Sequence, residues 1–403
     1  MTPGELDDAV LAAAAAALAA LGGDPADAAG GTGVRRPRHL EQGDYASPVA
    51  LRLAKATGLP AGELAGTIAA ELGRHPGVRR AEAAGPGFIS IWLTVQASGD
   101  LAGIIVADGQ AYGRSDRLAG KRFQLDPPPD DPPLTAPLSH ARHAALSAAA
   151  GRLLLAARAE LSGAPGPGVT SLRIPGPAAT RTSAPGPPLI GPSITRDPQG
   201  TASAQSTSPS GLSPADLPVA QGAQGMSSAG VPAASLVPGT LGHLVAAVGA
   251  GTAWYSLVSW PPGVPVEIDL AVWARRTSAS PAWVVRHAQQ RIARLGGRAA
   301  AVGISLESGF DPGRLTAREE TALLSLLAEF PAVVAVAGRA GEPHRVARYL
   351  ESVAAAWSAC DQACPVLPRR GRPEPDLARA RLTLAEAAGT VLANGLSLLG
   401  APG

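Results

Sequence analysis

Apolar and polar residues follow two periods along this chain, and these periods predict its secondary structure. Thr2, Pro3 and Glu5 form the start signal of an alanine-rich helix. Apolar residues at four-residue spacing predict another helix over 61–72. Residues 88–93 switch to a period of two, which is typical of a strand with one buried face. One face of this strand would carry Phe88, Ser90 and Trp92, and the other Ile89, Ile91 and Leu93.

Residues 268–295 carry the pattern on which the functional interpretation depends. Residues 268–270 predict an extended apolar piece, and Ser280 followed by Pro281 predicts the capped start of a helix. One helix face then carries two rings, an amide and a guanidinium: Trp283, His287, Gln290 and Arg294. The neighbouring stripe comprises Val284, Ala288, Arg291 and Leu295. Such a face suits RNA, since rings stack on unpaired bases and arginines hold phosphates. An ordinary amphipathic helix with a solvated face has the same pattern.

The composition restricts where a nucleic acid could bind. The 403 residues are 46% hydrophobic but only 3% aromatic, with 48 Gly and 39 Pro. A net charge of +2 provides no global field that attracts polyanions, so any such site must be a local patch. Pro, Gly, Ser, Thr and Ala predominate over residues 162–240. Such a segment buries too little apolar surface to fold, and we predict a disordered linker there.

The cysteines and the N-terminus bear on metals and location. Cys360 and Cys364 lie at helical spacing without nearby His or further Cys, which predicts two buried thiols and no zinc site. Glu5, Asp7 and Asp8 precede the alanine run, where a signal peptide needs basic residues. The run is also too short to cross a bilayer. We therefore expect a cytoplasmic protein that contacts no membrane and binds no metal.

Several stretches resemble the arginyl-tRNA synthetase family. Residues 44–50 (DYASPVA) and 85–90 (GPGFIS) resemble its N-terminal additional domain. Residues 342–350 (EPHRVARYL) and the helix starting at Ser280 resemble its DALR anticodon-binding domain. The resemblance implies that the strand contacts the D-loop of a tRNA through Phe88 and Ser90. It implies contacts to the anticodon loop from Trp283, His287 and Arg291, with Gln290 and Arg294 on the same helix.

The same resemblance makes the middle of the chain informative. The family's ATP-binding turn, His-x-Gly-His, corresponds to residues 137–140, where only His140 remains. Proline removes an N–H there, and serine crowds the backbone approach to a phosphate. The family's Lys-Met-Ser-Lys signature corresponds to residues 225–228, where Met226 and Ser227 remain without the lysines. No lysine occurs after Lys121, so the resemblance implies no catalytic residues and only degenerate remnants.

Together these patterns predict a multidomain protein. We expect a small α+β N-terminal additional domain (1–100), a truncated α/β catalytic remnant (101–161), a disordered linker (162–240) and an all-α DALR helical bundle (241–403). A linker of this length would let both outer modules engage one RNA. The resemblance implies a noncatalytic tRNA-binding protein without a cofactor. Two alternatives stay open: a shortened arginine–tRNA ligase that uses ATP, and a protein-interaction module that docks on a partner such as an authentic aminoacyl-tRNA synthetase.

Overall fold

The N-terminal part of the computed structural model is the expected small α+β domain. The structure describes residues 1–37, 43–125, 132–175, 239–265, 268–306, 309–367 and 374–401. The first elements are α1 (Pro3–Ala20), β1 (Tyr45–Ser47), α2 (Val49–Thr57), α3 (Ala61–Leu72), β2 (Val78–Ala84) and β3 (Phe88–Leu93). The predicted capping box is confirmed, because the Thr2 hydroxyl accepts from the Glu5 N–H while the Glu5 carboxylate accepts from the Thr2 N–H.

The three strands form an antiparallel sheet in the order β1-β3-β2, so that β3 is central. The predicted alternation holds: Ile89 and Ile91 are fully buried in a core shared with α1 and α3, while Phe88 and Trp92 lie partly exposed on the other face. Ser90 shares that outer face but is only 6% exposed. Its neighbours across the ladder are Ala46 on β1 and Glu82 on β2.

The middle of the chain forms a second, parallel sheet. Its elements are α4 (Val95–Asp108), β4 (Arg122–Leu125), α5 (Leu138–Ala156), β5 (Glu160–Ser162) and β6 (Val169–Leu172), with the strand order β5-β4-β6. The predicted linker start at Ser162 is therefore wrong, because β6 pairs with β4 and Ile174 beyond it is only 3% exposed. Helix α5 ends at Ala156, four residues before β5 begins. Composition misled here because this short polar strand is ordered by its pairing with β4, which the composition of the segment does not show.

The C-terminal part is helical, as predicted. Its elements are α6 (Leu241–Val248), α7 (Ala250–Val258), α8 (Leu270–Trp273), α9 (Pro281–Ala300), α10 (Arg318–Ala328), α11 (Phe330–Ala340), α12 (His344–Ala363) and α13 (Pro375–Leu399). The buried Glu320 carboxylate accepts from Arg381 Nε at 2.7 Å and from the Ala317 N–H at 2.9 Å, so α13 is tied to the start of α10. Cys360 and Cys364 are buried free thiols, as predicted, and burial raises the pKa of Cys360 to about 12.

One hydrophobic core joins the middle of the chain to the C-terminal helices. It includes Leu101 of α4 and Leu153 of α5 together with residues of α7 and α9 to α13. A Cβ at Gly338 of α11 would come within 3.0 Å of the Leu153 carbonyl carbon, so the two helices approach backbone to backbone. Asn394 of α13 donates from Nδ2 to the carbonyls of Gly109 and Tyr112 at 2.8 and 2.9 Å. The middle of the chain and the C-terminal helices are therefore united by direct packing.

In the part of the chain that the structure describes, two stretches are long and apolar enough to cross a membrane by length and composition alone. They are Arg318–Ala340, which comprises α10 and α11, and Pro375–Leu399, which is α13. At least half of each stretch is buried inside the protein, where apolar residues of a helix bundle pack against one another. The absence of membrane contact stays a prediction.

Candidate nucleic-acid interface

Helix α9 has one buried stripe and one open polar face. Ala282, Val285, Ala288, Ile292, Leu295 and Ala299 are buried, at the spacing of a helix that packs on one side. The sequence predicts that Ser280 caps the helix, and this prediction is wrong. The Ser280 hydroxyl instead donates to the Trp273 carbonyl at 3.3 Å. The extended piece expected at residues 268–270 is also absent from the described part of the chain. Asp269 instead caps α8, because its carboxylate accepts from the Ala271 N–H at 2.8 Å.

The open face of α9 lines a cavity of about 560 Å³. The rings of Trp283 and His287 stack inside it, with their centroids 4.3 Å apart and their planes 11° from parallel. Gln290 and Arg294 continue the same face, as the spacing predicted. The full lining is Val248, Thr252, Trp273, Ala274, Arg275, Arg276, Ser280, Trp283, Arg286, His287, Gln290 and Arg294. Among the residues that the structure describes, this lining contains arginines but no carboxylate.

Three of the lining arginines were not singled out by the sequence pattern. Arg275 and Arg276 are exposed in the turn between α8 and α9, and they line the cavity together with Thr252 of α7. Arg286 is half-buried, donates to the Ala401 carbonyl at 3.2 Å, and has its pKa lowered by desolvation. Periodicity along a helix could not indicate Arg275 and Arg276, because they reach the cavity from the turn before α9. The consecutive arginines before the helix start were the one local hint.

Arg291 lies elsewhere. Its guanidinium pairs with the Asp361 carboxylate of α12 and sits 5.0 Å from the centre of the buried Trp357 ring. It does not line the cavity, so the structure gives this predicted RNA-binding residue a packing role between α9 and α12. A contact from Arg291 to RNA stays a prediction, and it would compete with an ion pair already formed.

Comparison with known proteins decides the family. Residues 8–93 match the family model "Arginyl tRNA synthetase N terminal domain", and residues 286–402 match "DALR anticodon binding domain". An arginine–tRNA ligase of Kineococcus radiotolerans is 31% identical over 552 aligned positions, which cover 99% of this chain and 99% of the relative. The chain belongs to the arginyl-tRNA synthetase family.

Two further similarities describe this synthetase-family chain. An arginine–tRNA ligase of Clavibacter sepedonicus is 44% identical over 161 residues, which are 40% of this chain and 29% of the relative. The solved arginyl-tRNA synthetase of Thermus thermophilus aligns with 100% of this chain and 99% of its own at a TM-score of 0.58 and 15% identity. At that identity the likeness shows the fold: an N-terminal domain and a C-terminal helical DALR domain, which contains the cavity.

The N-terminal synthetase domain offers a second aromatic surface. Phe88 and Ser90, which the resemblance assigned to the D-loop, lie on the outer face of its sheet. The structure adds the neighbouring Trp92, whose ring lies 4.8 Å from the guanidinium carbon of Arg80. Arg80 also pairs with Glu82 on the same strand. The strand register puts Arg80 opposite Trp92, which no local pattern could give.

The remnants of the family's ATP site are placed only in part. His140 is exposed on the first turn of α5, which agrees with its interpretation as a surface residue. Pro137, at the position before the helix, offers no side-chain cap. Met226 and Ser227 lie outside the described residues, as do residues 126–131. Within the described residues, no group of His, Cys, Asp and Glu is placed to hold a metal ion.

Proposed function

We propose that this chain binds tRNA through the cavity on α9 and does not aminoacylate it. The observation that carries the proposal is the stacked pair Trp283–His287 in a cavity whose described lining has arginines and no carboxylate. Aromatic faces hold unpaired bases, and guanidinium groups hold phosphates. The arginines of the cavity are enough to attract a phosphate without a high net charge on the rest of the protein. The low net charge of +2 agrees with such a local patch.

Three observations support the noncatalytic part. Pro137 and Ser139 stand where the family's ATP-binding turn has His and Gly. Residues 163–168 are all that joins the parallel strands β5 and β6, whereas a βαβ crossover takes a dozen or more residues. An alignment of 552 positions against a chain of 403 residues leaves about 150 positions of the Kineococcus ligase without a counterpart. In this proposal the protein acts in the cytoplasm and binds tRNA without ATP.

Filter binding of the purified chain to total tRNA over a salt series tests the first part. We expect binding that weakens with salt, because phosphate contacts release counterions. No binding at low salt would refute the proposal and leave the interaction-module alternative. The second part is tested by ATP–pyrophosphate exchange in the presence of arginine and tRNA. Exchange above background would identify a shortened ligase instead.

A further inference from the structure

Arg142 on α5 makes an unusual set of contacts with the C-terminal half of the chain. Its guanidinium donates to four backbone carbonyls, one in the last turn of α7 and three in the loop between α7 and α8. The distances are 3.3 Å to Leu257, 3.3 Å to Trp260, 2.8 Å to Pro261 and 2.7 Å to Val264. All three guanidinium nitrogens take part. Burial at this place lowers the pKa of Arg142.

The sequence of the loop explains why it needs an external donor. It reads SWPPGVP over residues 259–265, and its three prolines have no N–H. The loop can therefore make few backbone hydrogen bonds of its own, while its carbonyls still need partners. The planar fork of an arginine presents five N–H donors in fixed directions, so one side chain can satisfy several carbonyls at once.

The same loop connects two walls of the cavity. Helix α7, before the loop, supplies Thr252 to the lining, and α8, after it, supplies Trp273. The Trp273 carbonyl accepts from the buried Ser280 hydroxyl at the start of α9, so a shift of α8 is transmitted to the ring-bearing helix. The loop therefore joins two of the elements that line the cavity.

We infer that Arg142 is a positioning residue for the RNA site: the helix that retains the degenerate ATP-binding turn holds the anticodon-type cavity in shape. This inference rests on the proposed function for its RNA part. It gives the remnant helix a task that does not involve nucleotide chemistry. Arg142 is not part of the cavity lining, so it acts through the loop and not by touching the RNA.

Arg152 provides a matched control on the same helix. Its Nε donates to the Leu398 carbonyl near the end of α13 at 2.8 Å, and burial lowers its pKa as it does for Arg142. It does not line the cavity. Arg152→Lys therefore removes a comparable interdomain bond without touching the loop, whereas Arg142→Lys replaces a four-carbonyl fork by a single ammonium group.

The experiment compares Arg142→Lys, Arg152→Lys and the unaltered full-length chain by hydrogen exchange and by tRNA binding. In Arg142→Lys we expect the amides of residues 257–264 and 272–284 to exchange about tenfold faster, and the tRNA dissociation constant to rise about tenfold. In Arg152→Lys both stay within about twofold, although thermal stability falls. Unchanged exchange around the cavity in Arg142→Lys, or equal effects of the two variants, would overturn the inference. If the unaltered chain binds no tRNA, the proposed function fails, and the exchange of residues 272–284 alone decides the role of Arg142.

Discussion

Replacing residues 176–238 by a six-residue Gly-Ser bridge is expected to leave the fold and the RNA site intact. Both ends of that segment are anchored at the start of α5. The Pro175 carbonyl lies 3.3 Å from His143 Nδ1, and Thr240 forms an isolated antiparallel bridge with Pro137. These two anchors lie six positions apart along the start of the helix, which is about 9 Å along the axis at 1.5 Å per residue.

The size of the effect follows from this geometry. Six extended residues reach about 20 Å, so the bridge closes without strain. The replaced segment has the composition of a flexible linker. For a loop of that composition, shortening from roughly sixty residues to six lowers the closure entropy cost by about 2 kcal/mol. We therefore expect the deletion variant to unfold at a higher urea concentration than the full chain and to bind tRNA within about twofold of it.

A second deletion serves as the matched control. Replacing residues 163–238 by the same bridge also removes β6 and the buried Ile174. The Cδ1 atom of Ile174 would lie 3.1 Å from a Cβ added at Gly341, so the two residues pack closely. This variant should unfold at a lower urea concentration than the shorter deletion, since both gain the same shortening of the loop while an apolar side chain of that size contributes about 2–3 kcal/mol when buried. The reasoning fails if the shorter deletion destabilises the protein, or if both deletions behave alike.

Three further predictions concern single side chains. The double variant Arg275→Gln, Arg276→Gln should weaken tRNA binding and reduce the slope of log K against log salt by about 0.7 for each phosphate that is no longer neutralised. Arg298→Gln, at the exposed end of α9 and outside the cavity, should change neither the affinity nor the slope. Equal slopes in the two variants would contradict the site. Asn394→Leu removes the side-chain donor of the buried Tyr112 carbonyl and of the half-buried Gly109 carbonyl, so urea unfolding should show a decrease in stability of about 1–3 kcal/mol, and an unchanged midpoint would refute this role of the amide. Burial lowers the pKa of His344 in the folded protein, so the unfolded chain binds a proton at this imidazole more tightly. The stability of the protein should therefore fall as the pH drops below about 6.5. His344→Gln should flatten this pH dependence in thermal unfolding.

Local signals predicted the elements well because their physics is local. The capping box at Thr2 and Glu5, the helix over 61–72 and the alternation along β3 depend on neighbours within a few residues. The face of α9 that carries Trp283 and His287 was readable for the same reason, since helix geometry fixes which side chains lie together.

Tertiary partners decided the features that the sequence missed. Arg291 lies on the stripe next to the cavity face, and the sequence does not show that this stripe meets Asp361 and Trp357 of another helix. Residues 169–172 look like linker by composition and become a strand because β4 offers a free edge. The pairing of Arg80 with Trp92 depends on the register between two strands. In each case the deciding partner comes from a distant part of the chain, and a single sequence does not show which distant residues meet.

The packing also explains why the middle of the chain persists although its ATP-binding signature has degenerated. Ala141, Ala145, Ala149 and Leu153 of α5 are buried in the same core as the DALR helices. Deleting α5 would expose those helices and release the loop that Arg142 holds. Under the proposed noncatalytic function, the requirement for His and Gly at the ATP-binding turn is removed, but the requirement for the helix that follows it is not. Pro137 and Ser139 are exposed at the start of α5, so residues that differ from the family's motif at these positions leave the buried face of the helix unchanged.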